Sequence, residues 1–186
     1  MATETPEVDS WRREEVETLL PGAREHEPRF APLLAVLFGT GMRRGEGLGL
    51  QWSDVDLEGR TLTIRRAITE QGLTTPKSGR RRIVPMPESL ALELFELLAA
   101  RRRECMERGW PEMPEWLFCS ETGSAPDPRN VTRVWQRVRR RAQAEGLGPT
   151  ERHAVGGVEI DVVQALGGPE VDPLPVRSPA WLARAI

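Results

Sequence analysis

The chain has 186 residues, 39% hydrophobic and 29% charged, with a formal net charge of −2. That length suits a single domain with a real core, and its two cysteines lack both the number for a disulfide scaffold and the spacing for a metal site. No apolar run approaches the length of a membrane helix and the acidic, polar start is unlike a signal peptide, so a cytoplasmic protein with no membrane contact is expected.

Residues 1–9 read as a flexible tail. Ser10 is placed to cap a helix running through Leu20, with Val16, Leu19 and Leu20 on one side, and Pro21-Gly22 is expected to end it. A second helix is expected from Pro28 to about Phe38. Its stretch PLLAVLF is almost wholly apolar and therefore buried. Then comes TGMRRGEGLGLQWSDVDL, residues 40–57. Gly41 permits a left-handed turn between two helices. Arg43 and Glu46, three apart, share a face of the new helix, so Glu46 can hold one arginine while the other reaches outward. Gly47 weakens that helix by about 1 kcal/mol. Trp52 and Ser53-Asp54 stop it, and Val55 to Leu57 lead into a sheet.

Residues 59–86 change period. TLTIRRAI alternates like a strand, Gln71-Gly72 marks a turn before a second strand near Leu73, and RRRIVPM reads as a third. Pro76-Lys77-Ser78-Gly79 then forms a hairpin tip between the last two. Lys77 is the only lysine among 26 basic residues. It is either a solvated turn lysine or a group kept because an ammonium, unlike a guanidinium, can give up a proton.

Pro87-Glu88 opens a long helix to about Arg108, striped by Leu90, Leu94, Leu97 and Leu98, with Arg101 to Arg103 near its far end. Trp116 to Phe118 is a short buried segment. Asp127 or Pro128 starts another helix whose core face is Val131, Val134, Trp135 and Val138. Arg133, Arg137, Arg140 and Arg141 make its other, basic face, which is either a solvated outer surface or a track for a phosphate backbone. Charge is uneven along the chain. Residues 60–141 hold 17 basic and 10 acidic residues, which points to a local polyanion site. Residues 169–186 have no helical period and are expected to be irregular or disordered.

The segment TGMRRGEGLGLQWSDVDL resembles the first catalytic box of the tyrosine recombinases, the phage integrase family. PKSGRRRIVPMP is similar to that family's lysine-bearing β-hairpin at matching spacing, and Arg152-His153 fits the end of its second box. Pro149 and Glu151 depart from that box, and Gly168 stands where a histidine or tryptophan is usual. The resemblance spans residues 10–168. It implies a mainly α fold with a small antiparallel β-sheet (α+β), incomplete at its C-terminal end. It also implies catalytic roles for Arg43, Lys77, Arg152 and His153, support from Glu46, and no metal or cofactor. Arg43 would bind the scissile phosphate and Lys77 would protonate the leaving oxygen. Double-stranded DNA is the implied partner, with other recombinase protomers beside it. Arg44, Arg80, Arg81, Arg133, Arg137, Arg140 and Arg141 are the candidate DNA contacts.

The family cuts DNA with a tyrosine hydroxyl, and this chain contains no tyrosine. A DNA-binding remnant unable to cleave alone is therefore expected, with a frame change past about Gly168 as one origin. A non-functional gene product and a helical protein-interaction module are the alternatives.

Overall fold

Among the described residues, three turns begin with the same device, an acidic side chain folded back onto the amide three residues before it. Arg12 N donates to Glu15 Oε2 at 2.7 Å, Arg43 N to Glu46 Oε2 at 2.8 Å, and Gln51 N to Asp54 Oδ2 at 3.0 Å. Each bond satisfies a backbone donor that a helix start leaves open and sets negative charge at the positive end of the turn. The computed structural model describes residues 11–75 and 81–146. The expectations for Ser10, Lys77, Arg80, Arg152, His153 and both tails lie outside the described residues.

Helix α1 spans Arg13–His26 and α2 spans Ala31–Thr40. Helix α1 continues through Pro21, against the expected stop. Its apolar face of Val16 and Leu19 extends one turn further to Ala23, which is fully buried, and this packing offsets the hydrogen bond that proline cannot make. Helix α2 is buried along nearly its whole length. Gly41 ends it in the left-handed region at φ 65°, with its N–H on Leu37 O, as its sequence position suggested.

Helix α3, Arg44–Leu48, is a single short turn. Arg43 lies just before it in extended conformation, so Arg43 and Glu46 meet across a helix start rather than along a helix face. The turn ends at Gly49, ahead of the expected stop, and a separate 3₁₀ turn follows at Trp52–Asp54. Gly47 faces α2 closely: a Cβ there would lie 2.8 Å from Leu37 Cδ2 and 3.1 Å from Leu33 Cδ1.

Two antiparallel ladders follow. Strands β1 (Val55–Asp56), β2 (Thr61–Ile64) and β5 (Arg82–Pro85) form one, in the order β1-β2-β5. Strands β3 (Ala67–Thr69) and β4 (Gly72–Thr74) form the other. The expected single strand over TLTIRRAI is therefore broken at Arg65-Arg66. Asp54, 3% exposed, causes the break by drawing both arginines toward it, at 3.4 Å from Arg65 Nε and 2.6 Å from Arg66 NH1. Strands β4 and β5 do not pair with each other, and the segment between them that carries Lys77 lies outside the described residues. The tight turn of the region is Glu70-Gln71, where Thr69 pairs with Gly72.

Helix α4 is Glu88–Arg108, close to its expected bounds, and α5 is Pro128–Ala144, starting where expected. Asp127 caps α5 by accepting from Arg129 N at 2.7 Å. Arg101, near the far end of α4, does not face solvent. It is buried and bonds Glu104, which also binds Arg29 at 2.8 Å and Arg108 at 2.9 Å. No helix among the described residues is long and apolar enough to cross a membrane.

Helix α1 packs on α5 and α2, and α2 packs on α3 and α4. The seam of α1, α2 and α5 is aromatic. Trp11 meets Phe38 at 5.8 Å and Trp135 at 5.5 Å between ring centroids, both edge to face, the arrangement that ring quadrupoles favour. Trp135→Ala is expected to lower unfolding free energy by about 3–5 kcal/mol. Urea titration followed by Trp fluorescence and far-UV dichroism measures this, and a change under 1 kcal/mol would contradict a shared core at this seam.

Candidate functional site

The site is built on a buried charge. Glu46 is 1% exposed, and a carboxylate at that depth requires partners. Its main partner comes from β5: Arg82 NH1 donates to Oε1 at 2.8 Å and NH2 to Oε2 at 2.7 Å. This two-pronged pair is the strongest arrangement open to the two groups. The Arg43 amide adds a third bond to Oε2. Burial alone would raise the Glu46 carboxyl, but the bonds from Arg82 and from the Arg43 amide outweigh it and hold the group below the usual carboxylate range. The same bond to Glu46, opposed by partial burial, raises Arg82.

The Arg43 guanidinium remains largely outside this pair. Its NH1 stands 3.6 Å from Glu46 Oε1 and its side chain is 52% exposed. It opens onto a cleft of about 540 Å³ lined also by Arg44, Thr69, Glu70, Gln71 and Thr75. A half-exposed guanidinium beside hydroxyl and amide groups suits an oxyanion such as a phosphate. The far wall is α5. Arg44 NH1 donates to Thr132 Oγ1 at 2.6 Å, and Arg129 at the start of α5 stands 3.9 Å from Glu70. Arg44 thus ties α3 to α5 rather than reaching into solvent.

The basic face of α5 is present but unequal. Arg133 and Arg140 are exposed, two helical turns apart, opposite the buried stripe of Val131, Trp135 and Val138. Among the described residues, Arg133 bonds Asn130, at 3.2 Å. Arg137 binds Glu27 at 2.8 Å, which raises its pKa. Arg141 is exposed, and no described carboxylate pairs with it or with Arg140. Arg81 is exposed beside β5. The structure brings Arg43, Arg44 and Glu46 together. Lys77, Arg80, Arg152 and His153 lie outside the described residues, so their convergence with Arg43 stands as an expectation.

Arg82 is the residue that sequence reasoning passed over: RRRIVPM was read as a strand, and only Arg80 and Arg81 of its arginines were named as candidate DNA contacts. A signal was available. Arg82, Val84 and Met86 alternate, and Arg82 pairs in register with the buried Ile64. A basic residue in the inward register of a strand requires a buried acid opposite it, and Glu46 is that acid.

Because the folded pKa of Glu46 lies below its ordinary value of 4.5, its contribution to stability is complete above pH 4.5 and is lost as pH falls through the folded value. Glu46→Gln is expected to cost about 1–3 kcal/mol at pH 7. It should also flatten the fall in urea midpoint between pH 5 and pH 3. An equally steep acid fall in the variant would show that Glu46 is not the group titrating.

The sequence profile of the phage integrase family matches residues 10–168. A tyrosine recombinase XerC-like protein of Caldanaerobacter subterraneus is 28% identical over 167 residues, covering 80% of this chain and 41% of that protein. The tyrosine recombinase XerA of Thermococcus kodakarensis is 28% identical over 165 residues, covering 84% of this chain and 52% of its own length. The chain therefore spans about half the length of the curated relatives it matches. Among solved structures, a XerA recombinase superposes with a TM-score of 0.57 at 22% identity, over 80% of this chain and 46% of that one. A Tn1549 transposon integrase in complex with transposon right end DNA gives 0.64 at 17% identity, over 83% and 51%. These likenesses show a shared fold of helices around a small antiparallel sheet. By the profile match along most of its length, the chain belongs to the phage integrase family.

Proposed function

We propose that this chain binds duplex DNA through its phosphates, using the catalytic-domain portion of a tyrosine recombinase, and does not cleave DNA by itself. The observation that carries the reading is Arg43, a half-exposed guanidinium at a cleft mouth beside a buried carboxylate that is already satisfied. Arg133, Arg140 and Arg141 on α5 extend the positive surface from the cleft along one helix. Arg133 and Arg140, aligned two turns apart, together with the cleft favour a backbone rather than a single small anion. Relatives described as bound to DNA, the Tn1549 integrase among them, support the same partner.

Lys77 is proposed as the proton donor to a leaving oxygen. It follows two residues after Thr75, which lines the cleft of Arg43. Arg152 and His153 are proposed as further phosphate ligands, Arg80 and Arg81 as backbone contacts. Strand cleavage in this chemistry needs a hydroxyl nucleophile that forms a phosphoryl ester. The sequence has no tyrosine to supply one, so charge stabilisation without attack is what its residues offer.

Binding to unrelated duplexes should be equal and should fall steeply with salt. Four to six phosphate contacts correspond to a slope of log K against log[salt] of roughly −4 to −5. Fluorescence anisotropy measures this, and binding that ignores salt, or none at low salt, would favour a non-functional remnant. Arg140→Ala should weaken binding more than Arg137→Ala, because Glu27 already neutralises Arg137. A nicked suicide duplex should give no covalent product on a denaturing gel. Capture of DNA on the protein would refute the non-cleaving reading and require another nucleophile.

A further inference from the structure

Glu46 has two oxygens and two candidate cations, Arg82 and Arg43, and the geometry divides them unequally. Arg82 takes both oxygens at 2.8 and 2.7 Å, the Arg43 amide takes a third position, and the Arg43 guanidinium waits at 3.6 Å. A carboxylate has about four lone-pair positions, and 3.6 Å is too long for a good hydrogen bond. Resting on the phosphate-binding reading of Arg43 above, we propose that Arg82 is a positioning residue for that site: by occupying Glu46 it leaves the Arg43 guanidinium open to a phosphate.

The argument turns on what Glu46 does without Arg82. A buried carboxylate left unpaired is costly, and the Arg43 guanidinium already stands within a small rotation of it. Glu46 would then draw Arg43 inward and neutralise it, withdrawing the cation from the cleft. Arg82 is well placed to prevent this because its backbone is fixed in the β2–β5 ladder, opposite Ile64. Arg43, by contrast, stands at a helix start with its side chain largely in solvent. The fixed arginine takes the acid and the mobile one stays available.

The test compares variants of the full chain on one mixed-sequence duplex, by anisotropy across a salt series. Arg82→Met should weaken binding about tenfold and flatten the salt slope by about one unit, the loss of one phosphate contact. Arg43→Ala should do the same, and adding it to Arg82→Met should cause little further loss. The decisive variant is the double change Arg82→Met with Glu46→Gln. A neutral amide does not compete for Arg43, so affinity and slope should return most of the way to wild type. Loss in Arg82→Met that the double variant fails to restore would reduce Arg82 to a structural residue and overturn the inference. So would unchanged binding in Arg82→Met where Arg43→Ala binds weakly. If Arg43→Ala itself binds like wild type, the phosphate reading of Arg43 fails, and this inference with it. Should thermal melts show Arg82→Met unfolded, Arg82→Lys with and without Glu46→Gln replaces it, with a smaller loss and the same restoration expected.

Discussion

One buried carboxylate governs this structure. Glu46 sits where α3 meets the sheet, inside a region that excludes water, and an ion there is tolerated only with partners already in place. Those partners come from two segments far apart in sequence, the Arg43 amide and the β5 guanidinium of Arg82. Helix α3 is too short to be stable alone. It has a defined position because Glu46 fastens it to β5 while Gly47 lets it lie close against α2. Asp54 repeats the device eight residues on, drawing in Arg65 and Arg66 from between the two ladders. The segment carrying Arg43 is thus clamped at both ends by buried acids that bind arginines from the sheet region. A side chain carried on a segment held this way starts from a fixed backbone, which lowers the ordering cost of any contact it makes.

Such pairing also explains how a chain rich in arginine presents so little open positive charge. Arg24, Arg29, Arg66, Arg82, Arg101, Arg108 and Arg137 all bind carboxylates of the same molecule. Segment charge therefore overstates what an approaching polyanion meets. Among the described residues, exposed arginines remain at the Arg43 cleft, along α5 at Arg133, Arg140 and Arg141, beside β5 at Arg81, and on α4 at Arg102 and Arg103.

Much of the fold was readable in the sequence, and the exceptions share a cause. The bounds of α4 and the core face of α5 came from strong apolar stripes, and the turn at Gly41 from a glycine at the end of a buried run. The misreadings are places where tertiary contacts overrule local signals. Pro21 marks a helix end by its covalent chemistry, but the burial of Ala23 carries α1 past it. TLTIRRAI alternates like one strand, but Asp54 pulls its two arginines aside and splits it. Within the site, Arg43 and Glu46 were visible from their spacing. The role of Arg82 was not, because it depends on a cross-strand register that no local window contains. The strands near Leu73 and over RRRIVPM were read as the two arms of one hairpin, whereas β4 and β5 each pair with a different strand.

The contact beneath Gly47 bears on how this sequence has diverged. At this position even a methyl group would press on Leu37 and Leu33. Interiors hold a nearly fixed volume, so the leucines of α2 fill the space that a leucine on α3 would otherwise occupy. The two arrangements exclude each other, and neither can be reached from the other by a single favourable exchange. Positions 33, 37 and 47 are therefore one unit of evolutionary change: bulk gained on one helix must be surrendered on the other. In an alignment they should vary together, as a correlated set spanning two helices that the recombinase box alone treats as separate.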